Sequence, residues 1–337
     1  MKETDIRPEH FQQEQERLFL ADVERMMSRV SEFRPSSCPA CESDSFQNIY
    51  RKYGMNFTRC QRCGTVFANP RPTAKIVQDY YRHSENYKFW ATHIFPVTEK
   101  TRREKIFVPR VDKVIELCER FQIKPGGVLM EVGPGFGTFC EELRERNYFK
   151  EIVPIEPTPE LAALLRSKNF SVMEKFIEEV DLNEEADAVV AFEVIEHMLE
   201  PSRFLRIIHK MLKPGGIVYL TCPNAEGFDT LTLGEKAPAL DVEHLTLFTP
   251  HSLSLLMENC GFEVLAVETP GVLDADIVRR RFVQDKTLQK NNPFVTHLLV
   301  DNWENYGDKL QGFLQDNKLS GNLLIFGRKQ NPHKDGI

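Results

Sequence analysis

The sequence predicts an α/β fold built on a mainly parallel sheet, and three observations carry that expectation. After Lys124-Pro125-Gly126-Gly127, short apolar runs alternate with amphipathic stretches of helical length, the rhythm of βαβ units. The first run ends in Glu131-Val132-Gly133-Pro134-Gly135-Phe136-Gly137, a turn whose glycines let backbone approach a ligand beyond a strand's carboxyl end. Upstream, two Cys-x-x-Cys pairs mark a smaller appendage.

The elements follow in chain order. Within residues 1–37, Phe19, Val23, Met26, Met27 and Val30 recur at helical spacing among charges, so one amphipathic helix is expected from about Pro8 to Phe33. Pro35 and Pro39 end it. Residues 38–69 hold the paired cysteines, and Pro70 and Pro72 then introduce a helical cap over 70–124. The cap is rich in aromatics, namely Tyr80, Tyr81, Tyr87, Phe89, Trp90, Phe95 and Phe107, which suit a pocket wall or plain core. Seven strand-like runs occupy the main domain, 125–330: Val128–Val132, Ile152–Ile155, Phe170–Met173, Ala188–Phe192, Ile217–Thr221, Phe262–Val267 and Asn322–Gly327. A helical insertion over 274–319 separates the last two.

Cys38-Pro-Ala-Cys41 and Cys60-Gln-Arg-Cys63 have the spacing of a structural zinc site. Each pair supplies two thiolates from one tight turn, and four sulfurs close a tetrahedron with no open position for catalysis. Cys118, Cys140, Cys222 and Cys260 are scattered through regular segments and read as core residues. The beginning, MKETDIRPEH, lacks a basic region followed by an apolar one, and no apolar run approaches the roughly 18 residues of a membrane span. A cytoplasmic location without membrane contact is expected. A net charge of −7 argues against nucleic acid as a partner, with Arg279-Arg280-Arg281 the one compact basic cluster.

Glu156, just after the second run, stands where an acid accepts hydrogen bonds from ribose hydroxyls, which supports an adenosine ligand. A dinucleotide fingerprint places its third small residue one position later, where Thr138 stands. The wider pattern decides. The order Val128 to Gly137, Glu156, Phe192-Glu-Val-Ile-Glu-His197, Leu212-Lys-Pro-Gly-Gly-Ile-Val-Tyr-Leu220 and Glu243-His-Leu-Thr-Leu-Phe-Thr249 resembles class I S-adenosylmethionine-dependent methyltransferases of types 11 and 23. The resemblance implies a Rossmann-like seven-stranded sheet with its last strand antiparallel. It also implies that Glu131, Gly133, Gly135 and Gly137 line the methionyl part of S-adenosylmethionine, that Glu156 binds ribose, that Phe176 flanks adenine, and that Phe192 and Glu193 lie beside the cofactor. A tetracysteine module ahead of such a domain resembles bacterial enzymes of sugar and surface-polysaccharide biosynthesis, which implies a sugar, nucleotide sugar or glycan as small-molecule acceptor.

Glu193, Glu196 and His197 stand at i, i+3 and i+4, so in helical geometry two carboxylates and an imidazole share one face. The spacing resembles that of ubiquinone-biosynthesis methyltransferases and of small-RNA 2′-O-methyltransferases, which implies a divalent-metal set of Glu193, Glu196, His197 and His244. Metal-free relatives of the superfamily share the segment, and the sequence favours that arrangement, with His244 ahead of His197 as general base. The expected reaction is displacement at the sulfonium methyl by an acceptor oxygen, ahead of nitrogen or carbon. Two competing readings are a metal-dependent RNA 2′-O-methyltransferase, opposed by the net charge, and a non-catalytic adapter acting through the zinc module, opposed by the intact motifs.

Overall fold

The structure is a computed structural model that describes residues 2–330. Its centre is a six-stranded sheet of β4 (Val128–Val132), β5 (Glu151–Ile155), β6 (Ala186–Phe192), β7 (Leu212–Pro223), β9 (Phe262–Glu268) and β10 (Asn322–Lys329), in the order β5-β4-β6-β7-β10-β9. The pairs β4–β5, β4–β6 and β6–β7 are parallel, and β10 runs antiparallel to both of its neighbours.

Alternation along the strands sorts side chains onto two faces. Met130, Val132, Val189, Ala191, Val218 and Leu220 meet helices Pro201–Met211 and Pro250–Asn259. Leu129, Val190, Phe192, Tyr219 and Phe326 meet helices Val108–Arg120 and Thr138–Glu145. Burial on both faces makes this a three-layer α/β/α core.

The expected third strand, Phe170–Met173, is absent as a strand. Only an isolated bridge joins Met173 to Ile155, with Met173 N–H donating to Pro154 at 2.9 Å and Glu156 N–H donating back to Met173 at 3.0 Å. The run lies at the sheet edge, where no further strand completes its pairing.

Helix Glu9–Met27 and the short antiparallel strands β1 (Phe46–Lys52), β2 (Met55–Cys60) and β3 (Val66–Ala68) precede the main unit. The two-residue strand β8 (Thr246–Leu247) pairs with β3, so a loop of the main unit completes the small sheet. Cys38, Cys60, Cys63 and Phe67 accordingly share one apolar cluster with Ile195, Phe248 and Leu253. Helix Ala74–His83 is followed by a helical run over 85–120 with π-type segments at Trp90–Ile94 and Arg103–Phe107. Helices Asp274–Gln284 and Trp303–Asp316 frame the insertion. Among its basic triplet, Arg280 pairs with Glu3 and Glu9, and Arg279 lies over Trp303 at 4.8 Å. No helix among the described residues is long and apolar enough to cross a membrane.

Because Phe67 is fully buried in the shared cluster, Phe67→Ala should cost about 3–5 kcal/mol. Denaturant unfolding should show the loss in one transition spanning the cysteine ribbon and the main sheet. Two separate transitions, with only the first shifted, would show that the ribbon folds alone.

Candidate functional site

Strand order reverses between β4 and β6, and ligands of open parallel sheets bind beyond the carboxyl ends at such a point. The turn after β4 occupies it. Gly133, Gly135 and Gly137 have φ of 70°, 55° and 75°, in the left-handed region that side chains rarely adopt. Their surroundings differ. A Cβ on Gly133 would meet Val194 Cγ2 at 2.9 Å and one on Gly137 would overlap Leu165, whereas one on Gly135 meets nothing within 4 Å. Packing requires two of the glycines; the third leaves bare backbone facing open space.

Glu156 borders that space. Its Oε1 accepts the Thr158 N–H at 2.9 Å, and burial raises its pKa against the opposing effect of the Thr158 and Gly135 amides. Phe192 ends β6, packed on Phe139 with ring centroids 4.6 Å apart. Phe176 is 48% exposed on the turn Ile177–Glu179. Glu131 is buried in β4 and accepts from the Cys140 thiol at 2.8 Å.

Arg110 carries no motif and escaped the sequence reading. It stands near the start of helix Val108–Arg120, with its guanidinium 4.3 Å from the Phe192 ring centroid. Its field also acts on Glu131. Among the described residues it has no ion pair or side-chain hydrogen bond, so its donors are free beside the Phe192 ring. Phe95 of the cap stacks on Phe136 of the glycine turn at 3.9 Å and 14°. Arg103 ties the same cap run to Glu141 at 2.8 Å and Glu142 at 2.6 Å.

The segment after β6 is not the helix that the i, i+3, i+4 spacing assumed. Glu193 takes a left-handed φ of 56°, and Ile195–His197 is a 3-10 turn. Glu193 is thereby directed away from its partners: its Oε1 accepts from Thr221 Oγ1 at 2.7 Å and Asn322 Nδ2 at 2.8 Å. Glu196, His197 and His244 come together, with one ligand atom of each within 4.8 Å of the others. Glu193 lies outside that trio.

Glu196 is 0% exposed and neither carboxylate oxygen has a hydrogen-bond partner. Burial and then Glu193 push its pKa well up. His197 Nδ1 bonds to the Glu243 carbonyl at 3.0 Å and His244 Nδ1 to the Ala239 carbonyl at 2.9 Å. A carbonyl only accepts, so each Nδ1 carries a proton, and on a neutral ring Nε2 is the nitrogen left as acceptor or ligand. Burial, then His244, lowers the His197 pKa to about 4, so that ring is neutral near pH 7. Tyr80 and Tyr87 of the cap donate to the two oxygens of Glu243 at 2.6 and 2.7 Å. Tyr81 presents an edge to His197 at 6.4 Å.

The four cysteines also converge, with Cys38 and Cys63 sulfurs 3.5 Å apart and Cys41 and Cys60 sulfurs 3.5 Å apart. Sulfurs at about 2.3 Å from one tetrahedral ion stand about 3.8 Å from each other, so the cluster fits zinc. The hydrogen bond from Cys38 holds the Cys63 thiol down to about 4, with Thr65 adding to it against burial. Cys118, Cys140, Cys222 and Cys260 are buried and unbridged.

A model of the methyltransferase domain family matches residues 100–267. The ubiquinone biosynthesis O-methyltransferase of Bradyrhizobium diazoefficiens is 29% identical over 29% of this chain and 41% of that protein. The one from Pseudomonas syringae pv. tomato is 31% identical over 36% of this chain and 56% of that protein. The chain thus spans about half the length of these curated relatives, or less. A chain in the complex between the Haloferax volcanii Trm112 methyltransferase activator and a methyltransferase is similar in structure, with a TM-score of 0.49 and 16% identity over 73% of this chain and 98% of that one. Residues 100–267 therefore carry a methyltransferase-type domain. The crevice beside Gly135 and Glu156 lies in that domain.

The buried Glu131 supplies a pH test of this site. Burial raises its pKa from 4.5 to about 7, against the lowering effects of Cys140 and Arg110. Between those values the folded state keeps a proton that the unfolded chain has lost, so stability falls as pH rises through the window. Glu131→Gln should remove that decline, about 3 kcal/mol at most, from cofactor-free protein. Unfolding curves of wild type and variant that stay parallel from pH 4.5 to 7 would refute the assignment.

Proposed function

We propose that the chain transfers a methyl group from S-adenosylmethionine to an oxygen of a small-molecule acceptor, assisted by a divalent cation held by Glu196, His197 and His244. The observation that carries this reading is the buried Glu196 carboxyl, without a hydrogen-bond partner and with a ligand atom of each histidine within 4.8 Å of it. An uncompensated carboxylate at such depth is costly, and a cation offsets it. The Nδ1–H bonds to backbone carbonyls are the outer contacts that orient histidine ligands.

S-adenosylmethionine supplies an electrophilic methyl on sulfur, so an oxygen–carbon bond forms as the sulfur–carbon bond breaks. The protein's share is chiefly alignment. Gly135 offers backbone to the methionyl part, Glu156 accepts from ribose hydroxyls, and Phe176 is placed against adenine. Arg110 has free donors for the methionyl carboxylate, where a charge-assisted bond is worth about 1.5–3 kcal/mol. Phe192 and Glu193 close the floor of the crevice. A cation held by Glu196, His197 and His244 would supply Lewis acidity toward the acceptor hydroxyl, whose proton would pass to solvent. Without one, the Nε2 of His244 or His197 takes the acceptor proton directly. The relatives named for O-methylation support oxygen as the methylated atom.

The Tyr81 and Tyr87 rings beside His197 give a face for a ring-shaped acceptor, and a sugar or nucleotide sugar is the class we propose. In the cysteine ribbon, Cys38, Cys41, Cys60 and Cys63 hold a structural zinc whose binding contributes folding energy.

Calorimetry should detect S-adenosylhomocysteine, with binding abolished in Gly135→Val. Arg110→Met should weaken it roughly 10- to 100-fold while sparing 5′-methylthioadenosine, which lacks the carboxylate. Binding of NAD in place of S-adenosylhomocysteine would move the domain to another class.

The cation is tested separately with Mn²⁺ and the purified enzyme. Wild type should bind it, Glu196→Gln and His244→Ala should not, and chelation should reduce turnover of a sugar acceptor about as far as either substitution, without additivity. Turnover that survives chelation but not His244→Ala would establish the histidine-base mechanism instead.

A further inference from the structure

Glu243 meets the cap with its side chain and the pocket with its backbone. Its two carboxylate oxygens accept from the Tyr80 hydroxyl at 2.6 Å and the Tyr87 hydroxyl at 2.7 Å, and its carbonyl accepts from His197 Nδ1 at 3.0 Å. His244 is the next residue. A displacement of Glu243 therefore moves one histidine through a hydrogen bond and the other through the chain.

Both sides of that junction are fixed. On the cap side, Tyr80 belongs to helix Ala74–His83 and is 3% exposed, and Tyr87 belongs to helix Glu85–Phe89. Ser84 Oγ accepts the Tyr87 N–H at 3.0 Å and donates to Asp22 Oδ2 at 2.6 Å, and the Asn86 N–H donates to the same carboxylate oxygen at 3.0 Å. Asp22 is fully buried in helix Glu9–Met27, so the turn that carries Tyr87 is pinned from the N-terminal helix. On the pocket side, Asp241 Oδ1 accepts the N–H groups of Glu243 and His244 at 2.9 and 2.8 Å, which shapes the turn on which they stand. That turn is closed on itself, and the two tyrosines fasten it to the cap. Hydroxyl donors to a carboxylate at such distances form charge-assisted bonds, roughly twice as strong as neutral ones.

We propose that Glu243 is a positioning residue: held by Tyr80 and Tyr87, it fixes the tautomer of His197 and the placement of His244, so that seating of the cap assembles the pocket of Glu196, His197 and His244. The proposal rests on the reading of that trio as the group that activates the acceptor. Its consequence is that the pocket depends on two cap hydroxyls that make no hydrogen bond to either histidine.

Full-length wild type, the double variant Tyr80→Phe with Tyr87→Phe, Glu243→Ala and the triple variant form a cycle. NMR of cation-free protein with nitrogen-labelled histidine reads the tautomers, because the bond that one ring nitrogen makes decides which form is held. Wild type should show His197 as the Nδ1–H form alone; an Nε2–H form there would overturn the proposal. The double variant should gain an Nε2–H population at His197 and bind Mn²⁺ roughly tenfold more weakly or worse. Its affinity for S-adenosylhomocysteine should stay within about twofold. In Glu243→Ala the same two changes should have no further effect, since the tyrosines act through the carboxylate. Losses that add in the triple variant, or an unchanged His197 tautomer in the double variant, would overturn the positioning role. Wild type that binds no Mn²⁺ would end the cation reading of the trio, and the tautomer would then decide the role of Glu243 by itself. If the double variant does not fold, Tyr87→Phe decides alone at a residue that is 41% exposed: a wild-type tautomer and wild-type Mn²⁺ affinity overturn the proposal.

Discussion

Everything in the main unit is arranged around the reversal of strand order between β4 and β6. Successive parallel connections must lead away from that line in opposite directions, which leaves a crevice that no crossover covers. The turn over 133–137 meets this constraint by removing side chains and turning backbone toward the opening. The cap closes the crevice from above through Phe95 on Phe136 and Arg103 on Glu141 and Glu142. Cofactor and acceptor regions thus have different builders, the first being the sheet and the second the segments laid over it.

Ionisable groups are withdrawn from solvent near the strand ends. Glu131, Glu196 and Arg71 are buried and Glu243 is partly buried, all within a few residues of those ends. Each is costly unless paired, and the structure resolves them differently. Glu243 is met by two tyrosine hydroxyls from the cap, Glu131 by a thiol, and Arg71 by carbonyls and a hydroxyl. Glu196 alone has nothing within hydrogen-bonding reach.

The parts of this arrangement that depend on local backbone were legible in the sequence. Strand–helix alternation, the glycine turn, the acid after the second run and the cysteine spacing are periodic or fixed-offset signals, and each maps to one element. The third run misled because an edge segment reads like a strand whether or not a neighbour completes its pairing. The Glu193, Glu196 and His197 set misled in another way. Equal spacing suggests a helical face, but the strand-to-turn junction forces Glu193 into a left-handed conformation and sends it to Thr221 and Asn322. Arg71, Arg110 and the pairing of β8 with β3 had no signal at all. They depend on contacts between segments far apart in the sequence, and a single arginine or a two-residue strand carries no pattern to find.

That difference explains why cofactor and acceptor are unequally readable in a chain of this kind. Adenosine recognition uses backbone geometry, which leaves a fingerprint of small residues and one acid at set distances. The pocket of Glu196, His197 and His244 is lined by side chains from the cap, the segment after β6 and the loop ahead of β8, and no order of residues links these segments. Only Glu243 joins two of them through covalent neighbours: its carboxylate is held by Tyr80 and Tyr87, its carbonyl holds His197, and the next residue is His244. A substitution in the cap can therefore reposition both histidines without touching either.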